Sequence, residues 1–210
     1  MHQMTDNERY HQLFKISGIA ALFIALMLIG DFFVYALIPN TDSAHEIFTL
    51  FIDNPIVGLL FFDLLGMIAY ILFIPLILSF YMLLRHDNET VMTIATVLFF
   101  IGITVFFATN TGFSLFSLSK QYALAQTDKE RDMLLASGKA MITLFDVQAF
   151  MISYVLVSAA WLMISIVMLQ SRLFGKTTSY AGIIAGAAAI IAEIFENTSK
   201  VLFEAAIALY

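Results

Sequence analysis

The sequence predicts an all-α polytopic membrane bundle of five transmembrane helices plus a C-terminal amphipathic helix or truncated sixth span. Three observations predict it. Of 210 residues, 61% are hydrophobic and only 12% charged, more apolar surface than a soluble domain of this size can bury. The apolar residues gather in runs long enough to cross a ~30 Å hydrocarbon core as helices. Short polar connections carrying Pro, Asn, Asp and Lys separate the runs.

Residues 1–15 are a polar segment, and residues 16–210 form a single transmembrane helical domain. The first apolar run lacks a small-residue cleavage site and is too long for a signal-peptide core, so it reads as an uncleaved span at 16–38, closed by Pro39-Asn40. The second span covers 56–84. Pro75 lies inside it and is expected to bend rather than break it, because neighbouring helices can satisfy the freed carbonyl. The third covers 91–118, the fourth 140–169, and the fifth starts near Thr178 and is apolar to Ile194. Beyond it, Glu193, Glu196, Lys200 and Glu204 recur at helical spacing on one face. That pattern fits an interfacial amphipathic helix or the first half of a sixth span.

Two connections look helical. Ser43-Ala-His-Glu46 and Thr127-Asp-Lys-Glu130 both have capping-box spacing and lead into apolar residues, the second ending at Gly138. Each is expected to lie on the outer surface, as an interfacial anchor or as part of a roof over the bundle.

Orientation follows from Lys and Arg near the span ends. Arg9, Lys15, Arg85, Arg172 and Lys176 fall on one side, and 40–55 carries none. This expects a cytoplasmic N-terminus in a bacterial inner (plasma) membrane. The connection with Lys120, Lys129, Arg131 and Lys139 runs against the assignment.

Polar groups inside the apolar runs define the candidate site. Asp31, Asp63, Asn110, Asp146 and Gln148 each fall ~9–12 Å below the outer end of their span at 1.5 Å per residue, and Glu193 reaches a similar level from the other side. An aspartate at mid-membrane costs ~2.5–3.5 kcal/mol on insertion, so these groups are expected to face inward. Tyr35 follows Asp31 by one turn and Tyr70 follows Asp63 by two. Alone, Asn110 or Gln148 reads better as a hydrogen bond between helices. Together the set reads as a carboxylate-lined pocket near the outer face that binds or moves a cation, proton or small cationic molecule.

Asp31, Asp63, Asp146 and Glu193 would be the ligands of any metal, which would be a hard divalent cation. No other cofactor is expected. The competing readings are a structural or accessory subunit whose polar residues specify packing, and an intramembrane enzyme using paired carboxylates. The Gly-x-Gly-Asp signature of intramembrane aspartyl proteases is missing, and enzyme activity is not favoured.

The four histidines, His2, His11, His45 and His86, lie at ends or in connections, which speaks against haem or zinc chemistry in the membrane. A net charge of −6 argues against nucleic acid, and the lack of cysteine removes thiolate sites. Gly182 and Gly186 form a small-x-x-x-small pair, used within the chain or between copies in a homo-oligomer.

Several short stretches resemble a known family. They are Phe62-Asp63-Leu64-Leu65, Pro75-Leu76, Leu83-Leu84-Arg85, Gly102-Ile103 with Asn110, Leu118-Ser119-Lys120-Gln121-Tyr122-Ala123, Leu135-Ala136-Ser137-Gly138-Lys139-Ala140, and Phe174-Gly175-Lys176 leading to Gly182-Ile183. In this order they resemble bacterial multi-pass membrane proteins grouped as domain of unknown function 4386. The resemblance implies about six spans, which would make the tail after Asn197 a truncated last span, and it implies no chemistry.

Overall fold

The computed structural model describes residues 6–37, 43–145 and 150–208, and the side-chain surroundings of 10–34, 43–145 and 151–195. The described residues are helical almost throughout, with no strand among them. In order the helices are α1 (Asp6–Leu37), α2 (Ala44–Asp53), α3 (Pro55–Phe61), α4 (Leu64–Thr109), α5 (Gly112–Leu124), α6 (Asp128–Leu144), α7 (Phe150–Gln170) and α8 (Lys176–Ala208).

Four stretches are long and apolar enough to cross a membrane: Tyr10–Val34, Leu64–Leu124, Met151–Gln170 and Lys176–Phe195. The second has 61 residues. Straight, it would reach ~90 Å, about three times the hydrocarbon thickness. It is not one straight helix. Asn88 has extended backbone (φ −159°, ψ 89°), and its Oδ1 accepts from Val91 N–H at 3.1 Å, an N-cap in the middle of α4. Pro75 lies inside α4 without breaking it.

The chain divides into two compact units. Residues 1–79 and 110–145 make the first; residues 80–109 and 146–210 make the second.

In the first unit, α2, α3, α5 and α6 enclose an aromatic core. Ile47, Phe48, Phe51, Phe62, Leu115 and Ile142 are buried in it. Phe51 stacks on Phe62 at 5.8 Å and 16°, and Phe145 meets Phe62 edge-on at 5.2 Å. Thus α2 is a core element through Ile47, Phe48 and Phe51, more deeply packed than a surface anchor. Ser43 stands at its N-cap position but makes no side-chain cap bond, so the first expected capping box does not form. The second does: Thr127 Oγ1 accepts from Glu130 N–H, and Glu130 Oε2 accepts from Thr127 N–H.

The expected stop at Gly138 is overturned, since α6 runs on to Leu144. A Cβ at Gly138 would stand 2.7 Å from Phe48 Cζ, so the glycine serves close packing of α6 on α2. Residues 140–144, expected to open the fourth span, therefore belong to α6. The apolar membrane-length stretch that follows begins at Met151.

Helix α1 presents a narrow buried face of Ser17, Ala20 and Ile24, while Leu22 (70% exposed) and Phe32 (71%) point away from the protein, as lipid-facing residues do. A polar node pins that face. Ser17 Oγ lies 2.8 Å from both Leu13 O and Pro75 O and 2.6 Å from Ser79 Oγ. With one proton, the Ser17 hydroxyl donates to one of these acceptors at a time.

In the second unit α7 and α8 pack closely. Gly182 faces Ser165, where a Cβ would overlap the hydroxyl, and a Cβ at Gly186 would stand 3.2 Å from Leu162 Cβ and Ser158 O. The small-residue pair is thus occupied within the chain. Ser153 Oγ donates to Gly102 O at 2.8 Å, and Trp161 lies edge-on to both Phe80 and Phe99.

Candidate functional site

The apolar run around Asp63 reads as unbroken helix in sequence, but the structure breaks it there. Helix α3 ends at Phe61 and α4 starts at Leu64. Asp63 is the only described non-glycine residue with positive φ, at 63°. Asp and Asn tolerate this left-handed region better than most residues, because their short side chains can bond locally. Asp63 does so: its Oδ1 accepts from Gly66 N–H at 3.1 Å, in the manner of an N-cap. A Cβ on Gly66 would overlap the Asp63 carboxylate, so the cap needs glycine at that place.

The expected third span is broken in the same way, at Asn110 and Thr111. Asn110 Oδ1 accepts from Gly112 N–H at 3.1 Å at the start of α5, and its Nδ2 donates to Phe62 O at 2.9 Å. Thr111 Oγ1 adds a longer bond to Met141 O at 3.4 Å. The two breaks therefore adjoin each other through Asn110. A Cβ on Gly112 would stand 2.9 Å from Phe62 Cβ.

Asp31 approaches from α1 and lies within Coulombic reach of Asp63. Packing agrees, since a Cβ at the preceding Gly30 would stand 3.1 Å from Leu65 Cδ1. Among the described residues, Asp31 Oδ1 is buried without a hydrogen-bond partner. A buried carboxylate oxygen left unpaired is costly, and protonation, a bound cation or water would relieve it.

Of the residues singled out by sequence, Asp31, Asp63 and Asn110 thus come together in the first unit. Tyr70 lies farther along α4, its ring 6.2 Å from Phe73. Tyr35 is in α1, with its side chain outside the described surroundings. Asp146 and Gln148 lie outside the described residues. Glu193 is half-buried on α8 in the second unit. Among the described residues no group of three His, Cys, Asp or Glu is placed to hold a metal ion.

Gly66 falls on the Asp63 face by helical spacing, while the sequence reading missed Gly112 and the Phe62 carbonyl as parts of this junction. Thr109-Asn110-Thr111-Gly112 is a turn-like cluster that signals the second break. The first has no such signal, because Phe62-Asp63 is flanked by apolar helix formers on both sides.

Four stretches long and apolar enough to cross a bilayer mark the chain as an integral membrane protein. The chain belongs to the family described as Domain of unknown function (DUF4386), whose profile matches residues 16–210, as the resemblance in its short motifs implied. No curated protein and no solved structure matches it.

Proposed function

We propose that this protein crosses a bacterial plasma membrane five times, with its N-terminus in the cytoplasm, and binds or moves a proton, cation or small cationic molecule at the Asp31–Asp63 pair. The observation that carries the reading is the Asp31 carboxylate of α1, one oxygen of which is buried with no hydrogen-bond partner among the described residues, within Coulombic reach of the carboxylate of Asp63 at the α3–α4 junction. Two such groups in an apolar setting disfavour a double negative charge, so a proton or positive ligand is the natural third party. The Asn88 cap, beside the polar run Arg85-His86-Asp87, supports dividing the 61-residue stretch into two crossings.

The test is thermal unfolding of the purified protein in detergent against pH, amines and divalent ions. Stabilisation that depends on pH or cation, and that Asp63→Asn abolishes while the protein stays folded, is the expected result. Stability indifferent to all three in the unaltered protein overturns the reading.

A second reading has its own support. Asn110, Asp63, Ser17 and Ser79 all make hydrogen bonds that join or cap helices. This is what a structural or accessory subunit would show, with polar groups specifying packing. In that case Asp63→Asn changes stability equally at every pH and ion concentration.

A further inference from the structure

We propose that Asn110 is a positioning residue for Asp63, acting as a latch on the peptide plane between Phe62 and Asp63. The carbonyl of that peptide accepts from Asn110 Nδ2 at 2.9 Å, and its N–H donates to Leu60 O at 3.1 Å. Both polar groups of one peptide unit are therefore held, the carbonyl from across the fold. Rotation of this plane is the motion that would return Asp63 from φ 63° to the negative φ an aspartate ordinarily prefers. The Asn110 amide opposes that rotation.

Further contacts hold the latch in register. Asn110 is itself fixed by Gly112 N–H on its Oδ1. Gly112 lets Phe62 come close, and Phe62 is clamped between the rings of Phe51 and Phe145. If the plane turns, the Phe62 carbonyl leaves Asn110, the Asp63 carboxylate leaves Gly66 N–H, and the position of that carboxylate is lost. The junction thus has two discrete arrangements separated by one peptide rotation. The inference rests on the proposed function only in treating the Asp63 carboxylate as the working group.

The experiment is site-resolved hydrogen exchange on the full-length protein in detergent, comparing wild type with Asn110→Ser and Asn110→Ala. Serine can still accept from Gly112 N–H but is too short to reach the Phe62 carbonyl, so it keeps the α5 start and releases the latch. The Asp63 and Gly66 amides should exchange at least tenfold faster in both variants, with α2 and α6 unchanged. Where wild-type stability responds to pH, the midpoint should move by half a unit or more in Asn110→Ser. It should stay in place in Ser17→Ala, which removes a packing bond elsewhere in the same unit.

Unchanged exchange at Asp63 and Gly66 overturns the latch. So does an equal rise across the whole unit, which would make Asn110 a general packing residue. Should wild-type stability ignore pH and cations, the proposed function fails, while the exchange rates still decide the latch.

Discussion

The Asn110 amide nitrogen lies 2.9 Å from the Phe62 carbonyl oxygen, 48 residues away in sequence. That bond joins the carbonyl left free where α3 ends to the residue that starts α5. A helix broken inside an apolar environment leaves backbone groups without partners, and each must find one within the protein. Asn110 serves both breaks, with its nitrogen on one and its oxygen on the other.

Removing the shared side chain should therefore be more damaging than losing one ordinary hydrogen bond. Asn110→Ala leaves a buried carbonyl and a helix-start N–H unsatisfied, and is expected to destabilise by about 1–3 kcal/mol. Equilibrium unfolding in mixed micelles measures it. A loss under half a kcal/mol, on the order of an exposed substitution, would contradict the geometry.

Glycine substitutions should divide by sign. Gly112→Ala places a Cβ 2.9 Å from Phe62 Cβ, and Gly182→Ala places one on the Ser165 hydroxyl. Overpacking of this kind costs ~1–3 kcal/mol. Gly18 in α1 has nothing within 4 Å of a Cβ, so Gly18→Ala should be neutral or stabilising by up to about 1 kcal/mol. Melting temperatures of the three variants in one detergent decide the matter.

The Ser17–Ser79 pair should show as coupling between α1 and α4. The two hydroxyls are 2.6 Å apart and buried. A double-mutant cycle of Ser17→Ala and Ser79→Ala is expected to give ~0.6 kcal/mol of interaction, typical of hydrogen bonds between membrane helices. Strict additivity would show that the contact does not hold α1.

Acid should loosen the start of α6. The backbone N–H groups of Gln126 and Thr127 hold the Glu130 carboxyl below the usual carboxylate range. A carboxylate lowered on folding stabilises the folded state above its unfolded value, ~4.3, and that contribution disappears as pH falls through the lower folded value. Opening of the Gln126 and Thr127 amides, read by hydrogen exchange corrected for the intrinsic pH dependence, should increase across that window in wild type and not in Glu130→Gln. Thr127→Ala should weaken the same turn at all pH values by ~1 kcal/mol, as loss of an N-cap does.

Much of this molecule is legible from hydropathy and caps. The membrane character of the chain emerges as four long apolar stretches, because hydrophobicity over twenty residues depends on composition alone, although the expected second and third spans run together and the expected fourth begins at Met151. The Thr127–Glu130 box forms as its spacing predicts, since a capping box is a purely local device. Ser43-Ala-His-Glu46 has the same spacing, and a helix follows it, yet Ser43 makes no cap bond. The burial of Ile47, Phe48 and Phe51 positions α2 instead.

The breaks at Asp63 and Asn110 belong to the other category. Asp63 lies in a run whose local composition favours continuous helix, whereas Asn110 lies in a turn-like cluster, and the two breaks are joined by the bond from Asn110 to the Phe62 carbonyl, distant in sequence. Sequence by itself determined an all-helical membrane protein with carboxylates inside its apolar runs, because burial of apolar length is additive along the chain. Tertiary structure alone decided that Asp63 turns left-handed, that Asn110 reaches the Phe62 carbonyl, and that α1 packs at Gly30 against Leu65. Those choices depend on hydrogen bonds and steric gaps between segments tens of residues apart, which no local pattern encodes.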